Sequence, residues 1–377
     1  MVTAPNGDQQ TYTLTIKRSP EEVAGGGGET NTIKIGLSGP LTGYAAVYGT
    51  AVVNAAQMAV DEINAAGGLN GIMLELEATD DMNKKTKVQA NYEYLVDWGM
   101  QVSLGCVTSG PALEFAKLSK EDNVFFLTPS ASADAVCAEA NGYQMCFADK
   151  KQGKAAAEYF NKLGISKIGV KLSDDTSADE YAYSHDIYAE FIEHLNADIE
   201  VITDTEALKN CEHIFMPVYY TTALSFMQSH KDEQGIKIYY GCDGFDGIDS
   251  IEGFDIHTIP QKVIMFTHFD ARATQGKAKE FIDNYIAKYG VSTLNWFGAS
   301  AYDCVYAIFG ALKKAAAEGA SVNAETTASQ MCEILKAQFN GDYVYTGSVT
   351  GTGTVSWGAD GFVQKGAVPY VIHEGSR

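Results

Sequence analysis

The chain has 377 residues, 46% of them hydrophobic and 20% charged, with a formal net charge of −21. That length allows two or three domains with a sizeable core. The excess of acid excludes nucleic acid and anionic membranes as partners drawn by charge, and no apolar run is long enough to span a bilayer.

The first thirty residues differ from the rest. MVTAPNGDQQ has no charged segment leading into an apolar one, so no signal peptide is visible. Residues 11–17, TYTLTIK, alternate strictly and read as one β-strand after the turn Pro5 to Asp8. Ser19-Pro20 and the run Gly25 to Gly28 then read as a flexible linker. The strand resembles the last one of a small surface-protein β-sandwich. A leader packed as an added strand fits it equally.

From residue 32 a strand–helix repeat begins. Ile33 to Leu37 is a strand, and 38–44 is a Gly/Pro-rich turn. Residues 49–65 form a helix, with Val52, Ala55, Ala56, Ala59 and Ile63 on one face. Gly67-Gly68 stops it. Strand 74–78 and helix 84–98 follow. Next comes LGCVTSGPALEFAKLSKEDNVFFLTPSAS, residues 104–132, which holds two strand-to-helix turns in succession. Pro111 is expected at the first helical position. Thr108, Ser109, Ser130 and Ser132 are expected as helix caps. Hydroxyls and free amides at such strand ends also suit a carboxylate or phosphate.

After residue 150 the repeat restarts. Helices are expected at 151–163, 183–195 and 221–230, and strands at 167–172, 199–202, 213–216, 237–240 and 263–266. Helices at 275–289, 297–317 and 324–338 follow, then a tail hairpin of 353–357 with 367–372. Alternating β and α elements imply parallel sheets with right-handed crossovers. Two α/β halves imply a ligand held between them.

Seven cysteines, at 106, 137, 146, 211, 242, 304 and 332, show no metal-type spacing with the seven histidines. Cys137 and Cys146 flank the turn Asn141-Gly142, so a local disulfide is open there. The phosphate-loop, dinucleotide, nucleophile-elbow and zincin motifs are absent from the sequence. No catalytic residue, cofactor or metal is therefore expected. What remains is a binding inventory. Tyr48, Thr108, Ser109, Ser130 and Ser132 in the first half suit an anion. Asp243 with Tyr219 and Tyr183 in the second suits a cation. Together they would hold a zwitterion. Taken singly, Tyr48 and Tyr219 read equally as core residues and Asp243 as a turn residue before Gly244.

From residue 32 onward the chain resembles type I periplasmic-binding-fold solute receptors, and in particular the leucine/isoleucine/valine-binding proteins of ABC transporters. The segments that carry the resemblance are IKIGLSGPLTGYAAVYGTAVVNAAQMAVDEINAAGGLNG, VTSGPALEFAKLSKEDNVFFLTPSAS, FADKKQGKAAAEYF, FMPVYY, YYGCDGF and SAYDCVYAIFGALKKA. The resemblance implies two doubly wound parallel-sheet lobes joined by three crossover strands. Residues 32–148 and 271–347 would form lobe one, and 149–270 and 348–377 lobe two, with 1–31 as a short β-strand leader. It places Thr108, Ser109, Ser130 (after Pro129) and Ser132 on the ligand carboxylate and Asp243 on its ammonium. Tyr48, Tyr219, Tyr183 and Phe297, or its neighbour Trp296, would line the pocket. The expected function is extracytoplasmic capture of an amino acid, apolar or branched-chain, for an ABC permease, by a monomer tethered to the membrane in its full-length form. A cell-surface sensor or display module with the same fold is the alternative. Two departures concern lobe two. Residues 203–212 are too few for the family's helix and two loops, and the loop 173–183 is long and acidic.

Overall fold

The computed structural model describes residues 2–3, 9–10, 31–139, 141–176, 180–248, 251, 254–351, 353–365 and 368–376. The chain divides into two units, 1–30 and 31–377. In the first, β1 (Val2–Thr3) pairs antiparallel with β2 (Gln9–Gln10). The strand expected at 11–17 and the linker at 19–28 lie outside the described residues.

The second unit holds both α/β lobes. In lobe one, β3 (Thr32–Gly39), α1 (Ala46–Ala65), β4 (Met73–Asp80), α2 (Lys85–Trp98), β5 (Val102–Cys106), α3 (Ser109–Asp122), β6 (Phe126–Thr128) and β7 (Gly142–Gln144) follow in order. The sheet is parallel, in the order β4-β3-β5-β6-β7. In lobe two come α4 (Asp149–Leu163), β8 (Lys167–Val170), α5 (Glu180–His194), β9 (Glu200–Ile202), β10 (His213–Met216), α6 (Tyr220–Ser229), β11 (Ile238–Gly241) and β12 (Lys262–Thr267). The chain then returns to lobe one through α7 (Gly276–Tyr289), α8 (Trp296–Ala317) and α9 (Ala328–Phe339). It ends with β13 (Val344–Thr346), β14 (Thr354–Ser356) and β15 (Val368–His373). The lobe-two sheet runs β15-β12-β11-β10-β8-β9, parallel except for its edge strand β15.

Period-2 alternation explains the strands. Phe125 packs at 5.1 Å from Tyr143 and 5.0 Å from Phe339, whereas Phe126 turns to the opposite face, 5.4 Å from Phe115. One core cluster, with Ile33, Ile35 and Leu37, lies under α1 and α8 and continues into lobe two. The other fills the space between the lobe-one sheet and α2 and α3, with Tyr92, Leu95, Phe115 and Phe126. Emptying either face at Phe125 or Phe126 would cost about 3–5 kcal/mol.

Three expectations are corrected. The tail hairpin does not form: β14 pairs with β13, and β15 joins the edge of β12. Trp357 decides this, because its ring packs 4.4 Å from Phe339 of α9 and its Nε1 donates to Gln144 O at 2.8 Å. Residues 354–356, grouped from sequence with lobe two, thus pair with a strand grouped with lobe one. Cys137 and Cys146 form no disulfide; all seven cysteines are free and buried. The Cys137 thiol points to Gly361 O instead, at 3.7 Å. Pro111 is the third residue of α3, not the first; its missing N–H costs nothing there either, since the first four are all unpaired within a helix.

The short segment between β9 and β10 carries a single 3-10 turn, Leu208–Asn210. Leu208 is fully buried, and a Cβ added at Gly169 of β8 would lie 2.8 Å from its Cδ2. One leucine therefore seals against β8, where the resemblance leads one to expect a helix.

Candidate functional site

In each lobe the strand order reverses beside the first strand, β3 in lobe one and β8 in lobe two. The carboxyl ends of the strands at such a switch point open a crevice, and here the two crevices face each other. On the lobe-one side, β5 bulges against β3 where its pairing shifts between Gly36 and Ser38. Gly105 allows the bulge: it has φ +63°, and a Cβ there would lie 2.9 Å from the Phe126 ring. The chain then turns through Val107 and Thr108 into α3.

The expected side-chain caps are absent. Thr108 stands at the N-cap of α3 without bonding its first turn. Its hydroxyl donates to Asn83 Oδ1 at 2.6 Å, and that of Ser130 donates to Val107 O at 2.6 Å. Ser109 Oγ accepts from Ala133 N at 3.1 Å. The two turns are thus laced to each other, and among the described residues no side chain bonds the amides that open α3. Thr108, Ser109, Ser130 and Ser132 are all buried.

Aromatic rings close the side of the cavity. Tyr48, in the first turn of α1, stacks on Phe297 with centroids 4.1 Å apart. Its hydroxyl crosses between the lobes and donates to Gly244 O at 2.7 Å. Its edge meets Tyr219 at 5.9 Å and Tyr220 at 5.2 Å. Trp296 sits behind Phe297, and its Nε1 donates to Asp243 O at 3.0 Å. The hydroxyl of Tyr220 bonds Tyr44 O, also across the lobes.

Lobe two contributes charge. Asp243 follows β11 in a 3-10 turn and is 3% exposed. Its Oδ1 accepts from the Tyr183 hydroxyl at 2.6 Å, and its Oδ2 from Gln152 Nε2 at 2.9 Å. Gly244 N donates back to Tyr183 Oη at 3.0 Å. Any Cβ at Gly244 would lie 2.8 Å from Val218 O and 3.0 Å from that hydroxyl, so only glycine admits this approach. Burial pushes the Asp243 carboxyl up to about 7, against the easing effect of its donors. Tyr219 caps α6, and its amide is held by Glu180, whose other oxygen accepts from Thr222 at 2.8 Å.

All nine residues singled out from the sequence, Tyr48, Thr108, Ser109, Ser130, Ser132, Tyr183, Tyr219, Asp243 and Phe297, line one closed cavity, joined by Val107 and Gly244. The cavity between them is about 10 Å³, room for about one water, far below the ~300 Å³ at which sites for drug-sized ligands begin. Asp243 is its one acidic residue, and no lysine, arginine or histidine lines it. With the two walls drawn apart, this lining can receive a small molecule with a cation at Asp243, an acceptor at the α3 amides and an apolar body along the rings.

Sequence reasoning missed Asp149, Gln152 and Glu180, which stand directly behind the lobe-two wall. Asp149 and Gln152 lie three residues apart in the segment FADKKQGKAAAEYF, a spacing that puts both on one face of a helix start. Glu180 lay hidden in the acidic stretch 173–183.

A profile of the periplasmic binding protein family matches residues 32–206. The Leu/Ile/Val-binding protein BraC3 of Rhizobium johnstonii is 38% identical over 132 residues, which is 34% of this chain and 36% of that protein. The match thus spans about a third of the curated relative's length. The crystal structure of LivJ from Streptococcus pneumoniae, a branched-chain amino acid transporter substrate binding protein in complex with isoleucine, superimposes with a TM-score of 0.74 at 25% identity. It covers 92% of this chain and 97% of that one. A solute binding protein of an ABC transporter from Rhodopseudomonas palustris, in complex with 3,4-dihydroxybenzoic acid, has the same fold, with a TM-score of 0.74 at 19% identity over 90% of this chain and 93% of that one.

Proposed function

We propose that the chain is a type I periplasmic binding protein with a solute-binding role, a reading its likeness to such proteins supports, and that it captures a free amino acid of apolar or branched-chain type. In this reading the two lobes hinge shut on the ligand and present it to the permease of an ABC importer. The ligand carboxylate sits at the opening of α3, against Thr108, Ser109, Ser130 and Ser132. The ammonium sits at Asp243, and the side chain lies along Tyr48, Tyr183, Tyr219 and Phe297.

One observation carries the reading. Asp243 is a buried carboxylate with hydrogen-bond donors but no ion pair among the described residues, and it faces a narrow cleft lined by both lobes. A buried carboxylate without a counter-charge is costly, and an ammonium group would supply that charge. The names of the relatives support the same class: BraC3 is a Leu/Ile/Val-binding protein, and LivJ was crystallised with isoleucine. Likeness to periplasmic binding proteins supports work outside the cytoplasm. No helix among the described residues is long and apolar enough to cross a membrane.

The test is a thermal-shift screen of the purified protein against leucine, isoleucine, valine, threonine, alanine and 3,4-dihydroxybenzoate. A ligand present at 100 times its Kd adds about 2.7 kcal/mol of stability. Branched-chain amino acids should raise Tm and the benzoate should not. A response to the benzoate alone would overturn the assignment of Asp243. The sensor alternative shares this binding step and parts from it at the permease, so uptake by reconstituted permease separates the two.

A further inference from the structure

This inference rests on the amino-acid reading above and concerns the carboxylate behind Asp243. Asp149 is the first residue of α4 and is fully buried. Gln152, one turn on, serves both acids. Its Nε2 lies 2.9 Å from Asp243 Oδ2 and 3.4 Å from Asp149 Oδ1, while its Oε1 accepts from Asp243 N at 3.1 Å. The same Nε2 also lies 3.3 Å from Phe147 O, so two N–H groups are divided among three acceptors. Asp149 Oδ2 has no hydrogen-bond partner. Neither acid takes part in an ion pair among the described residues.

The groups around the pair do not supply the missing charge. Asp134, beyond β6, and Asp186, on α5, add negative charge near Asp149. Lys150 is turned away, 3.4 Å from Asp134 and 4.0 Å from Glu190. From the other elements come only the Ser132 hydroxyl, the Tyr183 and Tyr219 phenols and the Cys146 and Cys242 thiols. Lys365, from the last crossover, is committed to Thr350 Oγ1 at 2.8 Å, within the Asp303 cluster. The N-terminus of α4 favours an anion, but two adjacent buried carboxylates cannot both stay ionised without a cation.

We propose that Asp149 and Asp243, coupled through Gln152, retain a proton while the cavity is empty and release it to solvent when an amino-acid ammonium group enters beside Asp243. Capture is then an exchange of ammonium for proton. Asp149 is a positioning residue: it touches no ligand and acts through Gln152 and the charge it places behind Asp243. Burial and the charge of Asp243 both push the Asp149 carboxyl up, in keeping with a proton kept there. The two acids titrate as a pair.

Calorimetric titration with L-leucine tests this, at pH 6, 7 and 8 and in two buffers of different ionisation enthalpy at each pH. The expected result is net proton release at pH 6 and 7, shrinking towards zero at pH 8, with affinity about tenfold weaker at pH 6 than at pH 8. Asp149→Asn should reduce the protons released at pH 7 and flatten the affinity profile while leucine still binds. Heats that do not depend on the buffer at any pH would overturn the exchange and leave the amino-acid reading standing. So would an Asp149→Asn protein weakened equally at every pH with its proton count unchanged, which is what a structural role gives. The wild-type proton count stands without the variant, should the variant fail to fold. If leucine, isoleucine, valine, threonine and alanine all fail to bind while 3,4-dihydroxybenzoate binds, the amino-acid reading itself falls and the exchange falls with it.

Discussion

Lobe one and lobe two reach the cavity through the same local architecture, a strand end feeding a helix, and they arrive with different chemistry. Lobe one brings neutral hydroxyls. Those of Thr108 and Ser130 already give their protons to Asn83 and Val107, and Ser109 already accepts one from Ala133. Lobe two brings three buried carboxyls, Asp149, Glu180 and Asp243. Glu180 has Tyr219, Thr222 and Ser173 as donors and the charge of Lys171 nearby, whereas Asp243 has donors and no cation. Neutral dipoles can be paired off inside one lobe, but a buried charge can be balanced only by another charge. On the amino-acid reading, the need for a ligand therefore resides in lobe two, and lobe one supplies shape and orientation.

The sharpest way to break this contrast is Asp243→Ala. On the amino-acid reading it removes the ion pair and should cost about 2–5 kcal/mol of affinity for L-leucine, roughly thirtyfold or more, as read by calorimetry. Wild-type affinity in that variant would move the ligand's anchor out of lobe two. The matching change in lobe one is Thr108→Val, which deletes a neutral hydroxyl from the wall that meets the carboxylate. Its expected cost is about 1 kcal/mol, roughly fivefold. A loss as large as that of Asp243→Ala would erase the asymmetry.

The same contrast governs what could be read from the sequence. Strand-to-helix alternation gave the order of elements in both lobes, and the hydroxyl-rich turns at 108–109 and 130–132 pointed to the lobe-one wall. Their internal lacing was not legible. Whether Thr108 caps α3 or bonds Asn83 depends on how α2 and α3 sit side by side, and one-dimensional capping rules do not contain that. In lobe two, Asp243 stood out as an acid beside an aromatic strand end, but Asp149 and Gln152 looked like an ordinary helix start until α4 was packed against the turn after β11. The tail was misread for a similar reason. Residues 353–357 and 367–372 each read as a strand, and only the packing of Trp357 on Phe339 shows that they part company.

The lobes also meet directly, and Tyr48→Phe tests that junction. The variant keeps the stack on Phe297 at 4.1 Å and loses the hydrogen bond to Gly244 O at 2.7 Å. One such bond is worth about 0.5–1.5 kcal/mol net. Affinity for L-leucine should drop about two- to tenfold through faster dissociation, as measured by stopped-flow fluorescence. Unchanged dissociation would show that the rings alone hold the lobes together.

The remaining test is the pH dependence of the ligand-free fold. Burial pushes the Asp243 carboxyl up to about 7 in the folded chain, against an ordinary value of 3.8. Between those values the folded state binds more protons than the unfolded chain, so stability falls as pH rises. Above about 8 the carboxylate is ionised in both states, and the loss is complete. Each kcal/mol lost should lower Tm by about 2–4 °C or less in a chain of this size, and Asp243→Asn should remove the slope that this group contributes. Saturating L-leucine should oppose it, because an ammonium beside Asp243 restores the missing charge when the proton is gone. The rise in Tm produced by leucine should therefore grow from pH 6 to pH 8. A rise that is flat with pH would mean that the ligand's cation does not sit at lobe two's unbalanced charge, and that the difference between the two walls is structural rather than functional.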